Sequence, residues 1–151
     1  MINNELEVGQ VLWLKVRYQI DIVSNIKYPM LIVQIEDDYI EVIALDKTAG
    51  KLHQLFHEYN YYLNCSKQNE SAIKEDSYAQ LNTKITIDKI DELKNIRKTL
   101  NKLLSFKLKE LLKEYERYQF TRELDENRIV VHMTKEKIVL LNEELKDEIY
   151  N

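Results

Sequence analysis

The only proline of the chain, Pro29, stands at the start of a run of apolar residues over positions 30–35. Proline has no backbone N–H to donate to a sheet, so within sheets it is confined to edge strands, bulges and the first residue of a strand. It also favours extended backbone at the residue before it, Tyr28. We therefore predict a strand over 30–35, and Asp37-Asp38 provides a turn into a returning strand over 39–45.

The periodicity of apolar residues changes near Asp88. Before it, short β-branched runs over 11–18, 30–35, 39–45 and 78–87 predict strands, while 52–63 is ambiguous between a short helix and a strand. Four or five strands at this spacing predict a small antiparallel β-barrel.

After Asp88, which has the character of a helix N-cap, apolar residues recur at steps of three and four from Ile90 to Tyr118. This pattern predicts one amphipathic helix of about thirty residues, roughly 45 Å long. A small barrel is too short to cover it, so part of the apolar stripe is expected to meet the tail of the chain or a partner, preferably a second copy. Residues 1–120 are predicted to form a barrel with its closing helix.

Residues 121–151 are predicted to be a C-terminal extension packed on the same domain. Positions 128–133 have the pattern of a strand, and Thr134 is a natural cap for a last helix. The apolar face of that helix would contain Ile138, Leu141, Leu145 and Ile149. The alternative is that 137–141 pairs back as the second strand of a hairpin. The predicted fold class is α+β, with a barrel, a long helix and a strand and helix in the tail.

Composition indicates one globular, cytoplasmic domain. The 151 residues are 44% apolar and 32% charged, which suits a folded chain of single-domain length. A single cysteine, Cys65, excludes an internal disulfide and a multi-cysteine zinc site. The amino terminus lacks the features of a signal peptide, and no apolar run approaches the ~20 residues of a membrane span.

Charge is unevenly distributed along the chain. The net charge is −4, and residues 1–90 alone contain nine basic and thirteen acidic side chains. Between Lys94 and Lys113, seven basic side chains stand against Glu110. A basic helix face of this kind can contact phosphates. The alternative is a solvated face whose lysine stems cover apolar surface.

Catalytic and metal-binding motifs with strong signatures are absent from the sequence. There is no Gly-rich phosphate loop, no His-Glu-x-x-His and no Gly-x-Ser-x-Gly. His53 and His57 have helical spacing and Glu58 follows, but a third clear metal ligand is missing. Metal-free acid–base chemistry or plain surface histidines are the preferred interpretations, and no metal or cofactor is predicted.

Four segments in order resemble the MazF/PemK-type toxin family, from residue 9 to about residue 93. They are Gly9-Gln10-Val11-Leu12-Trp13-Leu14-Lys15-Val16; Lys27-Tyr28-Pro29-Met30-Leu31-Ile32-Val33; Ile40-Glu41-Val42-Ile43-Ala44-Leu45-Asp46-Lys47-Thr48; and Glu75-Asp76-Ser77-Tyr78-Ala79-Gln80-Leu81, followed by Ile85-Thr86-Ile87-Asp88-Lys89. Each segment is a few common residues, and the signal lies in their order and spacing. Gln10 stands where the family usually has Asp.

The resemblance implies an SH3-like barrel, usually dimeric, that cleaves single-stranded RNA without a metal. A ribose hydroxyl would attack its own phosphate, leaving a 2′,3′-cyclic phosphate and a free 5′-hydroxyl. The family places Arg before the proline, where this chain has Tyr28, with Lys27 one position earlier. Thr48 matches the family's active-site hydroxyl, with Lys47 beside it, although Asp46 also aligns there. The predicted catalytic residues are Lys27, Tyr28, Lys47 and Thr48.

Cations for phosphates and aromatic rings for base stacking are the side chains that RNA binding requires. We predict these roles for Lys15, Arg17, Tyr61 and Tyr62. A different class of function is equally compatible with the sequence: a barrel without catalysis that binds a protein, such as a copy of itself, an antitoxin or a regulator.

Overall fold

A computed structural model describes residues 5–19, 22–23, 27–47, 59–64, 73, 75–97, 101–103, 105–121 and 128–142, with the backbone alone for 17–19, 22–23 and 47. The fold is α+β, as predicted. The elements, in chain order, are β1 (Val11–Leu14), β2 (Arg17–Gln19), β3 (Ile22–Val23), β4 (Tyr28–Ile35), β5 (Tyr39–Lys47), β6 (Asn60–Leu63), β7 (Ser77–Gln80), β8 (Thr83–Asp88), a 3-10 helix (Asp91–Ile96), α1 (Ser105–Thr121), β9 (Ile129–Met133) and α2 (Lys135–Leu141).

Seven of these strands form one mostly antiparallel sheet, which does not close on itself within the described residues. Its order is β1-β4-β5-β7-β6, while β8 pairs with β5 and β9 pairs with β8 in parallel. β5 is long enough to serve two neighbours, because residues 39–42 pair with β8 and residues 45–47 pair with β7. The short strands β2 and β3 form a separate ribbon.

The predicted hairpin around Asp37-Asp38 is confirmed as β4 and β5. Pro29 is the second residue of β4 and lies opposite Trp13 in β1. The register between β4 and β5 shifts once, between Ile32 and Gln34, as in a β-bulge.

Both faces of the sheet are covered, which explains the uninterrupted apolar run of β4. Met30 and Ile32 lie in one core cluster with residues of the 3-10 helix and α2. Leu31 and Val33 lie in a second cluster with residues of α1. Because successive side chains of a strand point to opposite faces, a strand covered on both sides has no polar alternation.

The predicted helix of about thirty residues is wrong, because its two ends pack on opposite faces of the sheet. Leu93, in the 3-10 helix, belongs to the first core cluster. Leu111 and Tyr115, in α1, belong to the second. One straight helix cannot contact both faces of a sheet. Between the two elements, Arg97 forms an isolated β-bridge with Leu12, and residues 101–103 are not helical.

Between the 3-10 helix and α1, the chain passes from one face of the sheet to the other around the sheet's edge, next to Gly9. The N–H of Gly9 donates to the carbonyl of Ile32 at 2.8 Å, and its carbonyl accepts from the N–H of Leu103 at 3.0 Å. The φ angle of Gly9 is +97°, and a Cβ there would lie 2.9 Å from Leu108 Cδ2 and 3.2 Å from Lys102 Cβ. The crossing therefore depends on a residue without a side chain.

The tail forms the strand and helix predicted for it. β9 extends the sheet beside β8, and the Thr134 side chain accepts from the N–H of Lys137 at the start of α2. The alternative of a β-hairpin over 137–141 is wrong. The prediction that Asp88 caps a helix is also wrong: it ends β8, and its Oδ2 accepts from the N–H of Lys135 at 2.9 Å. Leu145 and Ile149 lie outside the described residues.

None of the helices in the described part of the chain has the length and apolar character that a membrane crossing requires.

Candidate functional site

A row of polar aromatic residues and one carboxylate runs across neighbouring strands at one end of the sheet. Leu14 pairs with Tyr28, Asp46 pairs with Tyr78, and Tyr78 pairs with Tyr62. In the register of β4 and β5, Met30 lies opposite Ala44. When this register is continued by two residues, Tyr28 lies beside Asp46. Directly opposed residues share a face, so these side chains form one lateral row.

Tyr28 and Asp46 line a shallow depression of about 250 Å³, together with Ala44, Leu45 and Gln80. The depression lies beside the end of β5, where the sequence leads into Thr48. The sequence predicts Tyr28 as a site residue, and Asp46 aligns with the family's active-site hydroxyl as an alternative to Thr48. The structure brings these two side chains together.

Tyr78 orients Asp46 from the next strand. Its hydroxyl donates to Asp46 Oδ2 at 3.0 Å. Burial raises the pKa of Tyr78 to about 12, and the hydrogen bond to Asp46 and the charge of that carboxylate act in the same direction. Tyr78 therefore stays protonated as a donor at neutral pH. At the outer end of the row, Tyr62 is 43% exposed and its hydroxyl donates to Asp76 Oδ2 at 2.9 Å.

Two lysines lie at the same end of the sheet as the depression. Leu14, the last residue of β1, pairs with Tyr28, the first residue of β4. Lys15 comes directly after Leu14 and Lys27 directly before Tyr28, so the two lysines occupy neighbouring positions beyond this pair. Lys27 is exposed and Lys15 is half-buried. The structure thus places two of the predicted cations next to each other beyond the Leu14–Tyr28 pair, although neither is among the residues that line the depression.

The other predicted cations and the predicted hydroxyl are described only in part or not at all. Arg17 pairs through its backbone with Val23, and Lys47 with Ser77, but their side chains lie outside the described residues. Thr48 also lies outside them.

Tyr61 and Tyr62, both predicted to bind RNA, lie on opposite faces of β6. Tyr61 packs at the edge of the second core cluster, and its hydroxyl donates to Glu110 of α1 at 3.2 Å. Burial raises the pKa of Tyr61, and the hydrogen bond to Glu110 raises it further. The structure therefore does not group Tyr61 with the depression, whereas Tyr62 belongs to the row that borders it.

A buried carboxylate on β5 escaped the sequence reasoning. Glu41 is 6% exposed, and the hydroxyl of Tyr115, which is 5% exposed, donates to Glu41 Oε2 at 2.5 Å. Burial above all, then the hydrogen bond and charge of Glu41, raises the pKa of Tyr115, while Arg128 opposes the shift. The sequence does contain a signal for it, since Glu41 is an isolated acidic residue inside an apolar strand. A strand of this kind is covered on both faces, so an acidic side chain within it is buried, which is unusual and informative.

His132 also escaped a specific prediction, and the structure places it in a line of hydrogen bonds on β8 and β9. Its Nδ1 lies 2.7 Å from Thr86 Oγ1, and its Nε2 lies 2.9 Å from Asp88 Oδ1. Thr86 and Asp88 are two residues apart on one strand and therefore share a face. Because the other oxygen of Asp88 accepts from the N–H of Lys135, we interpret this line as the attachment of α2 to the sheet.

His53, His57 and Glu58, considered above for a metal site, lie outside the described residues, as does Cys65. Within the described ranges, no group of three or more His, Cys, Asp or Glu side chains is arranged to hold a metal ion. A scan against models of known protein families found no match, and a comparison with curated proteins found none either.

Proposed function

We propose that this protein is a metal-independent endoribonuclease of the MazF/PemK type, which cleaves single-stranded RNA at the depression beside Tyr28. The observation that carries the proposal is the meeting of Tyr28 and Asp46 in one depression, at the end of the sheet where Lys15 and Lys27 leave their strands. Cleavage through a cyclic phosphate needs a proton acceptor, a proton donor and stabilisation of negative charge, and a carboxylate, a phenol and lysines are able to supply them.

The proposal includes a partly open SH3-like barrel. Two features of the sheet support it. β5 changes partners along its length, from β8 to β7, as strands do where a sheet bends into a barrel. On the other edge of β1, Leu12 forms a bridge with Arg97, the residue that follows the 3-10 helix. Backbone from the far end of the predicted barrel thus reaches the first strand.

The proposed reaction moves one proton from the nucleophile and supplies one to the leaving group. The Asp46 carboxylate, held by Tyr78, accepts the proton of the ribose 2′-hydroxyl, whose oxygen attacks the adjacent phosphorus. Lys15 and Lys27 stabilise the additional negative charge on the pentacovalent phosphorane. The bond to the 5′-oxygen then breaks, and that oxygen takes a proton from Lys27 or the Tyr28 hydroxyl. The products are a 2′,3′-cyclic phosphate and a 5′-hydroxyl.

Tyr62 is suited to hold a base of the same RNA strand. Its ring is 43% exposed and lies at the outer end of the row that includes Asp46. Stacking of a base on an aromatic side chain contributes about 1–3 kcal/mol and tolerates different bases. RNA bound at the depression would extend along this row.

The test is cleavage of a long unstructured RNA in EDTA by wild type, Lys27→Ala and Asp46→Asn. We expect cyclic phosphate ends from wild type and a loss of about 10²-fold or more in either variant, since positioned acid–base groups contribute about 10²–10⁴ in rate. Lys109→Ala is the matched control, because Lys109 is an exposed lysine on α1 and its loss should leave the rate unchanged. No cleavage by folded wild type, or equal cleavage by all forms, would refute the proposal.

A second candidate function, protein binding, is favoured by the outer face of α1. Phe106 is 59% exposed and Phe120 is 86% exposed. Lys113 lies between them in the sequence, seven residues from each. Residues seven apart lie on one face of a helix. We propose that this face binds a second copy of the chain, in keeping with the predicted homodimer.

Sedimentation of wild type and of Phe106→Ser/Phe120→Ser tests this: a wild-type dimer and a monomeric variant are expected, and a monomeric wild type would refute it. The antitoxin or regulator stays a prediction.

A further inference from the structure

Gln80 lines the depression together with Tyr28 and Asp46, yet it has no role in the proposed reaction. Of the five described residues that line the depression, Gln80 and Tyr28 alone have side chains that donate hydrogen bonds. Tyr28 or Lys27 is assigned to the leaving oxygen. Lys15 and Lys27 lie at this end of the sheet but are not among the lining residues. Gln80 is therefore the lining residue that remains to donate to the phosphate.

Buried Tyr78 connects Gln80 to Asp46. Tyr78 is 3% exposed, and its hydroxyl donates to Asp46 Oδ2 at 3.0 Å. Burial raises the pKa of Tyr78 to about 12, whereas a hydrogen bond with the Gln80 side chain lowers it. A hydrogen bond that favours the phenolate is one that the phenol oxygen accepts, so the Gln80 amide donates to Tyr78. The Gln80 nitrogen and Asp46 Oδ2 are thus two hydrogen bonds apart, roughly 5 Å.

The backbone of Gln80 is fixed by Thr83. The Thr83 hydroxyl donates to the Gln80 carbonyl at 2.7 Å and accepts from the N–H of Ala44 at 3.0 Å. Thr83 is 1% exposed. Ala44 lies between the part of β5 that pairs with β8 and the part that pairs with β7. The buried hydroxyl therefore joins the end of β7 to β5 and holds Gln80 in place beside the depression.

The amide of Gln80 has a second donor for a ligand. An amide nitrogen has two N–H groups, and the bond to Tyr78 uses one of them. Gln80 is half-buried and lines the depression, so its second N–H can reach a ligand there. In the proposed reaction, Asp46 holds the 2′-oxygen, and negative charge develops on the non-bridging oxygens of the phosphate. A separation of roughly 5 Å leaves room for one oxygen at the carboxylate and another at the amide.

We propose that Gln80 is a catalytic residue of this site, whose amide N–H donates to a non-bridging oxygen of the scissile phosphate and stabilises the phosphorane. The amide stays neutral, and none of its own bonds forms or breaks. The assignment rests on the proposed function. Loss of one such preorganised donor lowers the rate of an enzyme by about 10²–10³.

The test substrate is a DNA oligonucleotide with one ribonucleotide, placed at the cleavage position mapped on the long RNA. Only one linkage then has a neighbouring 2′-hydroxyl, so a single phosphate can react. One of its two non-bridging oxygens is replaced by sulfur, in the pure Rp or the pure Sp form. Sulfur is a weak hydrogen-bond acceptor, so a donor to one of the two oxygens makes one of these forms react more slowly than the other.

The full chain is compared with its variant Gln80→Met, which has a side chain of similar length without the amide. We expect wild type to prefer one phosphorothioate form about tenfold or more, the effect of one hydrogen bond to a charged group. In Gln80→Met, kcat/KM on the unmodified oligonucleotide should fall about 10²-fold or more, and most of the preference should disappear. Gln34→Met is the matched control, because Gln34 is an exposed glutamine on β4 and its loss should change neither quantity.

Tyr78→Phe separates a direct contact with the phosphate from an effect transmitted through Tyr78. It removes the hydroxyl that links Gln80 to Asp46, so the rate should fall while the preference between the two phosphorothioate forms stays. Adding Gln80→Met to Tyr78→Phe should then cause a further loss of rate. No further loss would mean that Gln80 acts only through Tyr78, and the proposed contact would be overturned.

The remaining outcomes separate this role of Gln80 from the proposed function. A wild type that cleaves both phosphorothioate forms equally would overturn the role, however well the variants fold, and would leave the nuclease in place. A preference that persists in Gln80→Met would overturn it too. If folded wild type cleaves no RNA, the proposed function fails and the role of Gln80 with it.

Discussion

Replacing Tyr115 by Phe should remove the hydrogen bond that satisfies the buried Glu41. Both side chains are at most 6% exposed, and the hydroxyl and Oε2 are 2.5 Å apart. A hydrogen bond to a charged group contributes about 1.5–3 kcal/mol, and a buried acceptor left without its donor adds a desolvation penalty. The substitution changes nothing else in size beyond one oxygen atom. We therefore expect the free energy of unfolding to fall by about 2–3 kcal/mol.

Urea unfolding at neutral pH measures this loss, with fluorescence of Trp13, the only tryptophan, as the signal. With a urea dependence of about 1–3 kcal/mol/M, the midpoint should fall by about 1–2 M. Tyr61→Phe is the matched control, because its hydroxyl bonds Glu110 at 3.2 Å on the exposed side of α1. That substitution should cost no more than about 0.5 kcal/mol.

A double variant separates the loss of a bond from the cost of an unpaired acceptor. In Glu41→Leu/Tyr115→Phe both partners are apolar, and replacing a buried polar pair in this way is often close to neutral. Its stability should recover to within about 1 kcal/mol of wild type. If Tyr115→Phe unfolds at the wild-type midpoint, or if the double variant is less stable than the single one, the reasoning about this pair is refuted.

Three further predictions concern stability. Because folding raises the pKa of Tyr78 from 10.0 to about 12, its contribution to the free energy of unfolding is complete below pH 10 and is lost as the pH rises to 12. Urea unfolding between pH 10 and pH 12 should therefore show a smaller loss of stability for Tyr78→Phe than for wild type, and equal losses of stability would contradict this prediction. Gly9→Ala should lower the free energy of unfolding by about 2–4 kcal/mol, because alanine is strained at this positive φ and its Cβ would lie too close to Leu108 Cδ2. A thermal midpoint equal to that of wild type would contradict the close packing at Gly9. Thr134→Ala should cost about 1 kcal/mol as a lost helix cap, and Thr134→Ser should restore most of it in the same thermal assay.

The candidate site was predictable only in part. The sequence predicts Lys27 and Tyr28 as site residues because they precede Pro29, and Asp46 is its alternative to Thr48. Whether Asp46 lies beside Tyr28 depends on the register of β4 and β5. Register is set by which faces are buried and by the turn that joins the strands, and one residue of slip would separate the two side chains. Tyr78, which orients Asp46, comes from a strand more than thirty residues away.

Local signals determined the elements whose ends are set by neighbouring residues. Pro29 and Asp37-Asp38 defined the hairpin, and Thr134 defined the start of α2, because proline geometry, turns and caps act over three or four residues. The sequence by itself therefore determined where the chain turns in these segments.

The tertiary structure decided which face of the sheet each apolar stripe covers. Leu93 and Leu111 fit one helical period equally well, yet they pack on opposite faces of the sheet, and the chain crosses its edge beside Gly9. Likewise, Tyr61 and Tyr62 have the same chemistry and point in opposite directions. Periodicity reports that a residue is buried, but it carries no information on which surface buries it. That choice is made by packing between segments far apart in the chain.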